Sequence, residues 1–217
     1  MNIEQARFNM VEQQIRPWNV LDQRVLDLMS NTPREEFVPD EYRTLAFSDT
    51  AIPLGNGQAM MPPKLEARML QSLNVKSSDH ALEIGTGSGY VTALLARSCR
   101  QVVSVEIDTI FSAGAKDKLG AQGIDNVSLE VGDGLNGWES SAPFDVIAIT
   151  GSVHQLNPGF QHQLRIGGRL FVVCGSAPVM EAILITRISD NEWSQENLFE
   201  TSITPLRGAE SKPKFIL

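Results

Sequence analysis

Glycine alternates through Glu83-Ile84-Gly85-Thr86-Gly87-Ser88-Gly89, directly after an apolar run. Glycine has no Cβ, so such a stretch turns tightly and lets a ligand approach the backbone. The dinucleotide fingerprint Gly-x-Gly-x-x-Gly is not met. Counted from Gly85 its third glycine would be Tyr90, and counted from Gly87 it would be Thr92. No Gly-Lys-Ser/Thr follows either, so the phosphate-loop pattern fails too. The stretch carries no Lys or Arg, which a phosphate would favour. Glu106 lies about 20 positions after Gly85, the separation at which dinucleotide folds place an acid on ribose hydroxyls. Asp133, followed by Gly134, is a second carboxylate after another apolar run, and Thr150 follows a third. Such acceptors suit the hydroxyls and amine of an uncharged or cationic ligand.

These residues share one kind of place in the pattern. After Ser77, short β-rich runs alternate with helical ones: Ala81–Ile84, Tyr90–Arg97, Val102–Glu106, Ile110–Gln122, Val127–Val131, Asp145–Ile149, Leu156–Leu164 and Arg169–Cys174. Ala182–Arg187 and Leu198–Ile203 form a possible last pair of strands. This alternation predicts a mostly parallel sheet flanked by helices. Such sheets bind ligands at the carboxyl ends of their strands, where the glycines and both acids fall. Before Ser77 the pattern is helical. Phe8, Val11 and Ile15 mark one helix face, ended by Pro17. Thr32-Pro33-Arg34-Glu35 predicts a capped helix start, Ile52–Pro63 a loop and Lys64–Leu73 a helix.

The chain has 217 residues with a net charge of −8, which disfavours nucleic acid and anionic membranes as partners. Its length favours one domain, 1–217, with an N-terminal helical and loop region (1–76) ahead of the sheet core (77–217). No run reaches the roughly 20 apolar residues of a membrane helix. No export signal is visible at the start, which predicts a cytoplasmic protein. Cys99 and Cys174 form no Cys-x-x-Cys pair, and His80, His154 and His162 have no metal-ligand spacing, so no metal is expected. The oligomeric state is not readable.

The glycine stretch resembles motif I of class I, Rossmann-like methyltransferases. An ordered series from about Met10 to Cys174 is similar more specifically to the protein-L-isoaspartate O-methyltransferases. It comprises Pro33-Arg34-Glu35-Glu36-Phe37-Val38-Pro39, Ile52-Pro53-Leu54-Gly55-Asn56-Gly57-Gln58, Leu82–Tyr90, Asn126-Val127, Gly132-Asp133-Gly134, Gly137-Trp138, Ala142-Pro143-Phe144-Asp145 and Gln163–Leu170. The resemblance implies S-adenosylmethionine as cofactor, held by Glu83, Gly85, Thr86, Gly87, Ser88, Gly89, Glu106, Asp133, Gly134 and Thr150. Asp133 and the Gly134 backbone would lie near the adenine amine. It also implies methyl transfer to the α-carboxylate of isoaspartyl residues in damaged proteins.

The acceptor side departs from the family pattern. Where the family usually reads Thr-Ile-Ser-x-Pro-Tyr after Gly-x-Gly-Gln, this chain has Ala59-Met60-Met61-Pro62-Pro63-Lys64 after Gln58. Met61 thus stands at the serine position, and a thioether cannot donate to a carboxylate. The substrate loop implied by the match is Gln58, Ala59, Met60 and Met61, with Ser152 as a candidate replacement donor. No catalytic residue is assigned. Three readings stay open: isoaspartyl methylation, methylation of another acceptor such as a small molecule, and a non-catalytic cofactor-binding module.

Overall fold

The computed structural model describes residues 2–209. Three helices pack at the N-terminal side: α1 (Ile3–Asn9), α2 (Gln23–Asn31) and α3 (Pro63–Leu73). Between α2 and α3 runs a hairpin, β1 (Ile52–Gly55) and β2 (Gln58–Met60). The core follows as β3 (His80–Ile84), α4 (Tyr90–Ala96), β4 (Gln101–Glu106), α5 (Thr109–Ala121), β5 (Val127–Val131), β6 (Phe144–Val153), α6 (Gly159–His162), β7 (Leu164–Ser176), β8 (Val179–Ser189) and β9 (Glu192–Thr201).

The sheet order is β5-β4-β3-β6-β7-β8-β9. The first five of these strands are parallel neighbours, and β8 and β9 return antiparallel. The expected mostly parallel sheet is therefore present, with its final pair longer than the sequence pattern suggested. Its central strands are buried on both faces, hence their near-continuous apolar runs. Side chains alternate across the sheet. Ala81, Val102, Val146 and Ala148 join one core with the N-terminal helices and α4. Leu82, Ile84, Val103, Ile147 and Ile149 join a second, closed by Phe160 of α6 and by Leu206. Register places Ile84 beside Val105 and Ile149, and Glu106 beside Val131. The segments after β3, β4 and β5, and Thr150 of β6, thus reach one edge together.

Several local readings are corrected. Most of the expected loop Ile52–Pro63 is a hairpin, over residues 52–60: Asn56 and Gly57 both take positive φ (52° and 74°), the two-residue turn that suits the twist of paired strands. Thr32 caps nothing. The segment Arg34–Glu36 is a single 3-10 turn with no side-chain cap, Arg34 and Glu35 face inward, and Glu35 pairs with Arg7. Helix α1 continues as a wider turn over Met10–Ile15 and a 3-10 turn containing Pro17, leaving Val11 and Ile15 buried but Phe8 exposed. The helix expected over Leu156–Leu164 shrinks to four residues, because Pro158 sits at its start. No helix among the described residues is long and apolar enough to cross a membrane.

Candidate active site

The chain leaves β3 through glycines that only their residue type permits. Gly85 and Gly87 have φ of 96° and 52°, and a Cβ on Gly85 would lie 2.6 Å from the Thr150 hydroxyl. That hydroxyl donates to the carbonyls of Gly85 and Ile84, at 2.6 and 2.9 Å, which fixes the turn to β6. The Gly87 amide donates to Glu106 Oε2 at 2.8 Å, and the Asp108 amide to Glu106 Oε1 at 2.9 Å. Each carboxylate oxygen keeps a lone pair for a ligand hydroxyl. Asp133 Oδ1 accepts from the Leu135 amide at 2.9 Å, leaving Oδ2 open. Gly89 opens α4 and lies against Ala115 of α5.

These groups line one common cleft at the carboxyl ends of the strands, where such sheets bind their ligands. Gln58, Ala59, Gly85, Gly87, Glu106, Asp133, Gly134 and Thr150 all stand on its wall. So do Leu54, Phe111, Leu206 and Arg207, which sequence reasoning missed. Leu206 and Arg207 belong to a segment that returns after β9. Ser152 pins it: its amide donates to Thr204 O (3.0 Å), its carbonyl accepts from the Leu206 amide (2.9 Å), and its hydroxyl donates to Ile203 O (3.1 Å). Ser152 is therefore no substitute donor for an acceptor. It is buried, its hydroxyl is committed, and it lines no part of the cleft.

Glu83 likewise does not reach the cleft. It lies on the α4 side of the sheet, fully buried, and accepts from Thr92 Oγ1 (2.5 Å) and Ser104 Oγ (2.6 Å). Burial pushes its carboxyl up to about 8, although both hydroxyls pull the other way. Ser104 Oγ lies 2.6 Å from Thr86 Oγ1, so Glu83 touches the glycine loop only through this hydroxyl chain.

Thr86 and Ser88 face a second, smaller cavity, with Met60, Met61, Glu66 and Tyr90. It shares Leu54, Ala59, Gly85, Gly87 and Thr150 with the main cleft, so the two spaces adjoin across the glycine loop. The four expected loop residues thus divide. Gln58 and Ala59 reach the main cleft, Met60 and Met61 only the smaller cavity. Met61 is 6% exposed, and its carbonyl accepts from Arg34 Nη2 at 2.8 Å.

The Asp108 carboxylate closes one rim. Its Oδ2 accepts from Asn56 of the hairpin turn (3.0 Å) and from Arg207 (3.1 Å). The Ile110 amide and Arg207 hold this carboxyl below the usual range. Arg207 is the one Lys or Arg on the cleft wall among the described residues. Among the described residues no group of three or more His, Cys, Asp or Glu could hold a metal. Cys99, raised to about 12 by burial, is not a nucleophile at neutral pH. Two open carboxylates, a Cβ-free turn and one neutralised cation fit a nucleoside bearing a cationic centre better than a pyrophosphate. S-adenosylmethionine has that character.

The sequence profile of Protein-L-isoaspartate(D-aspartate) O-methyltransferase (PCMT) matches residues 5–211. The protein-L-isoaspartate O-methyltransferase of Brucella anthropi is 36% identical over 213 residues, covering 98% of each chain. That of Syntrophus aciditrophicus is 38% identical over 197 residues, covering 90% of each. A solved protein-L-isoaspartate O-methyltransferase superposes with a TM-score of 0.81 at 26% identity, over 94% of this chain and 66% of that one. A Plasmodium falciparum chain of the same description, crystallised with S-adenosyl-L-homocysteine, shares the fold with a TM-score of 0.79 at 19% identity, over 92% and 97% of the two chains. The chain belongs to the protein-L-isoaspartate (D-aspartate) O-methyltransferase family.

Proposed function

We propose that this chain methylates the α-carboxylate of isoaspartyl residues in polypeptides, using S-adenosylmethionine. The observation that carries the reading is the shared wall: a cofactor cleft and an acceptor cavity meet across Gly85, Gly87 and Thr150. When bound, the cofactor supplies a methyl carbon on a sulfonium, to which a carboxylate oxygen bonds as the carbon–sulfur bond breaks, with no proton transferred.

A carboxylate with an ordinary pKa near 3.9 is ionised at neutral pH. The protein therefore needs no strong base and supplies orientation and exclusion of water. Glu106 and Asp133 bind through their open lone pairs, the glycine loop sets the distance between the two spaces, and buried Met60 and Met61 keep water from the acceptor side. Hydroxyls on the cavity wall are partly committed. Thr150 donates to two carbonyls and Thr86 meets Ser104, whereas Ser88 accepts from the Tyr90 amide at 3.3 Å and keeps its own proton free to donate. The helical region and the sheet work as one domain in this reading, since both contribute walls to the acceptor cavity.

A second reading has its own support. Leu54, Met60, Met61 and Val91 give the acceptor cavity an apolar flank beside its polar groups, which suits a small-molecule acceptor with an apolar part. In either case we place the protein in the cytoplasm, acting apart from nucleic acid and membranes, as its net charge of −8 favours.

Labelled-methyl transfer to matched isoaspartyl and aspartyl peptides tests the proposal, with Met61→Ser alongside. Selective labelling of the isoaspartyl peptide is the expected result, rising on Met61→Ser by up to the ~100-fold that one active-site donor can contribute. Cofactor binding without labelling of that peptide would transfer support to the second reading.

A further inference from the structure

One pair of buried charges beside the acceptor cavity has no part in the chemistry described so far. Arg34, fully buried, pairs with Glu66, itself 1% exposed, and its guanidinium lies 4.8 Å over the Tyr90 ring. Its other nitrogen donates to the Met61 carbonyl at 2.8 Å. Four segments meet at this point: the turn after α2, the exit of β2, helix α3 and the start of α4. Glu66, Tyr90 and Met61 all line the acceptor cavity. Stability alone is a poor account of the pair, because well-packed apolar residues often serve as well or better than a buried ion pair. Arginine's fork can hold a carboxylate and a carbonyl at once, which an ammonium does less well.

We infer that Arg34 is a positioning residue of the acceptor site: it fixes the Met61 backbone on the cavity wall and cancels the Glu66 charge that would otherwise face an anionic acceptor. The inference rests on the carboxylate-acceptor reading above, but part of its test does not.

The key variant is the double substitution Arg34→Met/Glu66→Leu, which removes both charges without stranding either. It should melt somewhat below wild type, because the Met61 carbonyl loses its donor, and bind S-adenosylhomocysteine unchanged. Its kcat on an isoaspartyl peptide should fall at least ~10-fold, a loss of about 1.4 kcal/mol in transition-state stabilisation, while Arg34→Lys, which keeps the charge and loses the fork, falls between. The readout independent of activity is oxidation of Met61 by hydrogen peroxide, followed by peptide mass spectrometry with buried Met69 as internal reference. Release of the loop should speed Met61 oxidation several-fold. If the wild type labels no isoaspartyl peptide while Met61 oxidation still accelerates, the functional reading fails and the positioning role stands. If the double variant oxidises Met61 at the wild-type rate, the positioning role is overturned. Should the double variant fail to fold, Arg34→Lys carries the same comparison.

Discussion

The Thr150 hydroxyl sits 2.6 Å from the Gly85 carbonyl, and a Cβ on Gly85 would meet the same oxygen at 2.6 Å. The strand end that donates to the turn therefore also forbids any side chain there. Thr150→Val deletes one donor to two carbonyls and should weaken S-adenosylhomocysteine binding by about tenfold, the ~1.4 kcal/mol of one well-placed hydrogen bond. Gly85→Ala adds the clash and a positive φ, and should bind more weakly still. Calorimetric titration of both variants measures this. A Gly85→Ala protein that binds as tightly as wild type would contradict the geometry.

Glu83 gives a pH dependence with a definite sign. Its carboxyl is raised in the fold to about 8 from an ordinary value of 4.5. Between those values the folded chain holds a proton that the unfolded chain has released, so stability falls as pH rises across that window. Below about 4.5 the contribution is fully present. Melting temperature should therefore decline from pH 5 to pH 8, and Glu83→Gln, which cannot ionise, should flatten the decline.

The Asp108 bridge joins the hairpin turn to the final segment across the cleft rim. Asp108→Asn and Arg207→Ala should each release cofactor about two- to fivefold faster, since a partly exposed ion pair contributes little. Rising salt should narrow the difference from wild type. Stopped-flow displacement of S-adenosylhomocysteine reads both effects.

Ser152 separates a structural role from a chemical one. Ser152→Ala removes the donor to the partly buried Ile203 carbonyl and should cost about 1 kcal/mol of stability. Its kcat at a temperature where the variant is folded should match wild type. A large fall in kcat with unchanged stability would restore Ser152 to the acceptor chemistry.

What the sequence made legible is what lies near in the chain. The glycine turn, Glu106 and Asp133 each follow an apolar run, so strand ends could be located before any fold was known. The hairpin is hidden in the sequence because its Asn56-Gly57 turn, a strong signal when flanked by strands, stands with prolines on both sides, and glycine, asparagine and proline together read as a loop. Arg34 reads in the sequence only as part of a capped helix start, since pairing with a glutamate 32 positions later leaves no local mark. Glu83 fell in the right motif on the wrong side of the sheet, because strand alternation turns it toward α4. Leu206 and Arg207 carry no motif at all. They reach the cleft only because Ser152 holds their segment in place.

That last arrangement has a consequence for biosynthesis. The strands run outward through β7, β8 and β9 before the chain comes back to the edge where it began. A chain still on the ribosome, with residues 203–209 not yet emerged, would already possess the glycine turn and both acids but lack one wall of its cleft. Capture of the cofactor is thereby deferred until residues 203–209 have emerged, and the appearance of binding reports that β7, β8 and β9 have been assembled.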